Sequence, residues 1–296
     1  MEKSKVYFTK EITPTSLIKI YEALGVTLTG KVGIKISSGE KGSINYLKPE
    51  LIKDLVQKLN GTIIECNTAY PGARNIKEEH MQVLEEHGFT SIAPVDIMDE
   101  DGEMPLIVTE GKHLTTDLVG SHITWYDSIL NLAHFKGHAM GGFGGVIKNQ
   151  SIGMASRNGK AQIHSVGYTT DPDDCWNHIS NQDGFLESMA EAAKAVKDYF
   201  EMQNKPILYI DVMNNISVDC DCDANQKEPV MKDIGILAST DPVAVDQACI
   251  DLIWKSDDVG KDKLIKRIDS RNGRHILAYS EEIGLGNREY ELINID

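Results

Sequence analysis

Between Lys31 and Gly88 the chain runs through one rhythm twice, and that rhythm narrows the fold more than any other feature. Lys31 to Ser37 (KVGIKIS) alternates polar and apolar residues, the pattern of a strand, and the turn-rich SSGEKGS closes it. Pro49 fits the first turn of a helix, with Leu51, Ile52, Leu55, Val56 and Leu59 on one apolar face up to Gly61. Thr62 to Cys66 (TIIEC) reads as a second strand. Asn75 with Glu78 three residues on reads as a capping box for a helix that ends at Gly88. Strands and helices that alternate in this way pair in parallel through right-handed crossovers.

The rest of the chain extends the pattern. Leu106 to Thr109 reads as a strand, and Ser128 to Leu132 (SILNL) and Pro206 to Met213 (PILYIDVM) as buried strands. Phe185, Met189, Ala192, Val196 and Phe200 follow helical spacing, so Gly184 to Phe200 is an amphipathic helix. Asp233 to Ala238 is a further inner strand. Asp241 then caps a helix with Pro242 in its first turn and Val245, Ala248, Cys249 and Leu252 on one face. Glu289 to Ile295 alternates and suits a sheet edge, whereas Ser156 to Asn181 carries no assignable pattern. The fold expected is α/β, a mostly parallel central sheet flanked by helices, over residues 1 to 296 as one domain or two intimate lobes.

Charge and cysteine usage narrow the function. A net charge of −15 argues against broad contact with nucleic-acid phosphates or anionic lipid, but leaves room for a small anion in a local basic pocket. No apolar run approaches the roughly 18 to 20 residues of a membrane span, and MEKSKVYFTKE lacks the apolar core of a signal peptide, so a cytoplasmic protein is expected. Five cysteines in 296 residues are too sparse for a disulfide scaffold and read as free thiols or metal ligands.

The densest chemistry lies in His134 to Gly153, HFKGHAMGGFGGVIKNQSIG, which follows the central strand. Five glycines fall between Gly137 and Gly145. Such a density predicts a Gly-rich loop at the strand's carboxyl end whose main-chain amides, at Gly141, Gly142, Gly144 and Gly145, line a ligand surface with Lys136, Lys148 and Asn149. In open α/β folds ligands bind there. No G-K-[ST] and no regular G-x-G-x-x-G is present, so a nucleotide is not indicated. His134 and His138 offer a metal ligand or a general base tunable near neutral pH, with structural hydrogen bonding as the alternative.

Two further clusters accompany it. Cys220 and Cys222 alternate with Asp219, Asp221 and Asp223; thiolates spaced C-x-C can reach one ion and select zinc or iron over magnesium, although the same pattern also serves as a solvated acidic loop. ECNTAYPGAR, directly after the second strand, places Asn67, Tyr70 and Arg74 at the same sheet edge, and Arg74 can hold a carboxylate or phosphate bidentately. His164 reads as a lone strand histidine, structural with a catalytic role as the alternative, and Cys66 and Cys249 as small buried hydrophobes.

ISSGEKG with NYLKPELI, ECNTAYPGAR, the long Gly/His/Lys stretch, the loop through CDC and GILASTDPVAVDQA together resemble the domain-of-unknown-function family 362, over about residues 35 to 250. Many members carry a ferredoxin-like iron–sulfur insert, which the resemblance implies as a cofactor class; this chain has no four-cysteine run to match it. A shorter stretch is similar to the N-terminal domain of the lactate racemases, where a Gly-Gly-x-x-Lys segment carries the lysine that holds a nickel pincer cofactor. Gly144, Gly145 and Lys148 are the matching positions.

The function expected is a metal-dependent enzyme, an isomerase, lyase or oxidoreductase, that holds a small anion with Lys148 and Arg74 and moves a proton with His134 or His138. The metal, iron or zinc, would sit on Cys220 and Cys222. Two other classes remain open: an electron-transfer accessory protein that docks a redox partner, and a small-ligand-binding module without turnover.

Overall fold

Eight strands form one sheet in the order β12-β1-β11-β10-β7-β2-β3-β4. In the computed structural model, which describes residues 3–296, these are β1 (Ser4–Thr9), β2 (Val32–Lys35), β3 (Thr62–Glu65), β4 (Val95–Ile97), β7 (Ser128–His134), β10 (Ile207–Met213), β11 (Gly235–Ser239) and β12 (Tyr290–Asn294). Every neighbouring pair is parallel except those of β11, which runs against both β1 and β10. The strand of Leu106 to Thr109 lies outside this sheet: β5 (Glu103–Ile107) pairs with β6 (Thr116–Gly120) as a separate antiparallel hairpin.

Helices cover both faces, and the strands show why. Along β7, Leu130 and Leu132 point to one core while Ile129 and Ala133 point to the other, because successive side chains alternate across a strand. The first core takes Leu17 and Ile20 of α1 (Pro14–Ala23), Ile52, Leu55 and Val56 of α2 (Pro49–Lys58) and Leu84 of α3 (Lys77–Glu86). The second takes apolar side chains of α4 (Val146–Met154), α5 (Arg157–His164), α6 (Gln182–Glu201), α7 (Pro242–Lys255), α8 (Lys261–Ser270) and α9 (His275–Glu282). Each fully buried Ile, Leu or Phe in these layers contributes roughly 1.5–3 kcal/mol.

Local signals fixed several boundaries. Pro49 opens α2, and Asp241 caps α7 by accepting N–H bonds from Val243 and Ala244 at 2.9 and 3.1 Å. The capping box at Asn75 does not form. The helix begins one residue later, with Ile76 at the cap position and no side-chain cap, while the Asn75 N–H turns back to the Gly72 carbonyl. Residues 156–181, unassigned from sequence, contain α5 and a short 3-10 turn at Cys175–His178.

The topology places a crevice. From β2 the chain steps outward through β3 to β4, then returns to lay β7 on the other side of β2. Such a switch of direction opens a cleft at the carboxyl ends of the strands. Among the described residues no helix is long and apolar enough to cross a membrane.

Candidate functional site

The Gly-rich stretch is not an open loop. It folds as a tight hairpin of β8 (Lys136–His138) and β9 (Gly142–Gly144), whose turn needs Gly142 at φ +83°, and then enters α4. Two glycines are demanded by close approach. A Cβ on Gly137 would lie 2.0 Å from the Val218 carbonyl oxygen, and one on Gly145 would lie 2.3 Å from Asp246 Oδ1. Gly137 therefore lets the loop of residues 214–230 lie against the hairpin, with its N–H donating to Ser217 O at 2.8 Å. Gly145 lets Asp246 accept from the Val146 and Ile147 amides at 2.9 and 3.1 Å. These two helix-opening amides, of Val146 and Ile147, are thus already satisfied within the chain.

The CDC loop owes its shape to its middle residue. Asp221 is fully buried, lies 3.0 Å from Nδ1 of His134 and from Nζ of Lys136, accepts from the Gln226 side-chain amide, and does not line the cleft. Burial would raise its carboxyl, but His134 and Lys136 hold it far below the usual carboxylate range. Asp219 pairs with Arg267, and Asp223 accepts from the Asn225 amide. With the carboxylates turned away, Cys220 and Cys222 are the loop residues that face the cleft.

That cleft is a cavity of about 190 Å³. Of the residues picked out from sequence, it brings together Lys136, His138, Gly144, Gly145, Lys148, Asn149, Tyr70, Arg74, Cys220 and Cys222. It leaves out His134, Asn67, Gly141 and Gly142. His134 is wholly buried, with Nε2 donating to the Asn214 carbonyl at 2.6 Å and Nδ1 at Asp221, so both ring nitrogens are occupied in bracing the loop. Asn67 is spent on Asp99 and His80.

On one wall, charges are paired. Lys35 Nζ lies 2.7 Å from Glu65 Oε2, Arg74 lies 3.7 Å from Glu65 and 3.6 Å from Glu40, and the Tyr70 hydroxyl donates to Glu40 while accepting from Arg74 at 2.9 Å. Burial pushes the Glu65 carboxyl up, yet Lys35 and Arg74 hold it at about 2. Asn149 of α4 joins this wall, donating to the Lys35 carbonyl and to Asn131 Oδ1.

On the other wall lie the thiols. Side-chain atoms of His138, Cys220 and Cys222 fall within 4.8 Å of one another, and Lys148 Nζ stands 3.8 Å from Cys220 Sγ. A hydrogen bond from Cys222, opposed by burial and helped by Lys148 and His138, holds the Cys220 thiol well below its ordinary range. A tetrahedral site with bonds of about 2.0–2.3 Å needs ligand atoms under ~4 Å apart, so the two thiols fit a transition metal after a small closure. His138 fits less well. Its Nδ1 accepts the Gly141 and Met140 amides at 2.8 and 3.3 Å, which leaves the neutral ring's proton on Nε2, whereas a ligating histidine donates its second nitrogen outward.

Sequence reasoning missed the roof of the cavity, Lys160, His164 and Trp176. His164 sits on α5, not a strand. Its Nδ1–H donates to the Lys160 carbonyl at 2.6 Å, and its ring lies 5.3 Å from Trp176 and 5.0 Å from Phe185. Burial lowers it to about 4, so it is neutral with Nε2 as its acceptor nitrogen. A basic and a ring residue one helical turn apart, Lys160 and His164, was the available signal.

A family model described as domain of unknown function (DUF362) matches residues 32–251. The chain belongs to this family. The DUF362 match covers the cleft residues from Lys35 to Cys222. None of the curated proteins matches the chain. Among solved structures, it is similar to the lactate racemase apoprotein from Thermoanaerobacterium thermosaccharolyticum at 12% identity and a TM-score of 0.46, over 84% of this chain and 57% of that one. A Thermotoga maritima protein is similar at 11% identity and a TM-score of 0.42, over 89% of this chain and 59% of that one. The DUF362 chain thus spans less than two thirds of either protein.

Proposed function

We propose that the protein is an enzyme acting on a small anionic molecule in this cavity, with a divalent transition metal, zinc or iron, held by Cys220 and Cys222. The observation that carries the reading is the convergence of two thiols on one wall of a cavity that Lys35, Lys136, Lys148 and Lys160 also line. Two thiolates leave coordination positions open toward the cavity, whereas structural sites are closed by four protein ligands. Such a metal supplies Lewis acidity when bound. The chain's own part is to hold the anion with Lys148 and to accept a proton at Nε2 of His164, oriented by the Lys160 carbonyl. Arg74, paired with Glu40 and Glu65 and donating to Tyr70, shapes the wall, and its buried Nε has no hydrogen-bond partner among the described residues.

Purification without oxygen and without a histidine tag, followed by elemental analysis, tests this. About one equivalent of zinc or iron per chain is expected, lost in Cys220→Ser and Cys222→Ser while the circular dichroism is retained. Protein that takes up neither metal on titration overturns the reading.

The orientation of His138 favours a second reading without metal. With its Nδ1 taken by two amides and its remaining proton available to Cys220, the ring supports a free thiolate as the reactive group. Metal-free protein should then react with iodoacetamide at Cys220 well below pH 8, and His138→Ala should slow that reaction; alkylation at an ordinary thiol rate overturns it.

A further inference from the structure

The cavity wall carries five cationic side chains, Lys35, Arg74, Lys136, Lys148 and Lys160, in a protein of net charge −15. Three of them are neutralised where they stand. Lys35 and Arg74 face Glu65 and Glu40, and Lys136 faces Asp221. The other two are not. Lys148 Nζ touches Cys220 Sγ at 3.8 Å, and Lys160 Nζ donates to the Ala155 carbonyl at 2.5 Å. Among the described residues neither has a carboxylate within the 4.0 Å of an ion pair. Asp99 and Asp117 sense Lys160 from farther away. Asp99 accepts from the amides of Asn67 and Arg157, so it sets a negative charge near Lys160 without forming an ion pair with it. Asp117, raised by burial to about 8, is neutral at pH 7.

A divalent ion on two thiolates carries no net charge, so a loaded site leaves the half-buried Lys148 and the buried Lys160 without an ion-pair partner in one cavity. Like charges held partly out of water without partners are costly, and a ligand that supplies the missing charge relieves the cost. We infer that the occupant of the cavity is a small dianion, a dicarboxylate or a phosphate monoester, whose two negative charges are matched by Lys148 and Lys160. The inference rests on the metal reading above: without a metal, the Cys220 thiolate itself answers Lys148 and one uncompensated charge remains, which calls for a monoanion. The cavity, of about 190 Å³, has room for a small dianion. Trp176, Met140 and Ile152 give it an apolar surface for its carbon frame.

The test is calorimetric titration of protein of measured metal content with succinate, with succinamate (the same skeleton with one charge removed) and with methyl phosphate above pH 7. Metal-loaded protein should bind succinate or methyl phosphate at least about tenfold tighter than succinamate, and the preference should collapse in Lys148→Met and in Lys160→Met. Which of the two dianions wins separates the carboxylate source from the phosphate source. Equal binding of succinate and succinamate, no binding of any probe, or a preference that survives both substitutions overturns the inference while leaving the metal reading intact. Protein that takes up no metal overturns the metal reading and, if it prefers succinamate, this inference with it.

Discussion

The cluster around Glu65 and the cluster around Cys220 share one cavity, yet their charges are handled in opposite ways. Around Glu65 each buried cation meets a carboxylate and each carboxylate meets two donors. Around Cys220 a thiol is held toward its charged form, and its neighbour Lys148, like Lys160 elsewhere in the cavity, lacks a carboxylate within ion-pair distance. The first arrangement lowers the energy of the folded chain as it stands. The second raises it and is relieved by something that enters from outside. Adjacent parts of one cavity thus differ: one is satisfied within the chain and the other is not.

Breaking the paired wall should produce the largest effect. Glu65→Ala removes the carboxylate shared by Lys35 and Arg74 and leaves both cations buried, at a cost of about 3–5 kcal/mol. Urea unfolding measures it, and Glu65→Gln, which keeps an acceptor, should cost less. Protonation makes the same point. The folded Glu65 carboxyl sits at about 2, below its ordinary 4.5, so its contribution is complete above pH 4.5 and is lost as pH falls toward 2. A loss under about 1 kcal/mol in Glu65→Ala would mean that the pairing does not hold the wall.

Asp117 gives the intermediate effect, with the opposite sign. It is wholly buried, Lys160 is the charged group that acts on it, and both its carboxylate oxygens lack partners. Burial raises its folded value to about 8 against an ordinary 3.8, so the folded chain binds the extra proton. Stability is therefore greatest below pH 3.8, as far as this group decides, and drains away as pH climbs to about 8. Asp117→Asn should remove that decline, worth on the order of a few kcal/mol, and melt above the wild type at pH 8. A wild-type stability that is flat between pH 5 and 8, by contrast, would place a compensating charge or water on Asp117.

The same division explains what could be read from the chain. The β2-α2-β3 unit, the Asp241-Pro242 cap and the C-D-C loop are local patterns, and local patterns survive folding. Lys160 and His164 escaped because α5 spans 8 residues, too short to show two turns of apolar spacing amid polar flanks. His134 was picked out by its residue type and its neighbours, but β7 carries it past the cleft to a bracing position on Asp221. No spacing rule reports that Asp221 turns inward while its flanking cysteines turn out; that follows from the pairing of distant segments. The reversed direction of β11 is equally silent, since a buried apolar strand reads the same in either orientation.

The smallest effect on stability should come from the unpaired cations, and it is the sharpest test of the contrast. Lys148→Met and Lys160→Met remove a charge that no carboxylate answers and keep most of the aliphatic stem packed. Each should change unfolding free energy by no more than ~1 kcal/mol, and in the metal-loaded protein should tend to stabilise, because one of two mutually repelling ammonium groups is gone. Lys35→Met, on the paired wall, provides the control: it strips Glu65 of its closest partner at 2.7 Å and should cost several-fold more. Urea unfolding of the three variants side by side reads the result. If Lys160→Met destabilises as much as Lys35→Met, the lysine is a structural element bound through the Ala155 carbonyl, and the two walls do not differ in kind.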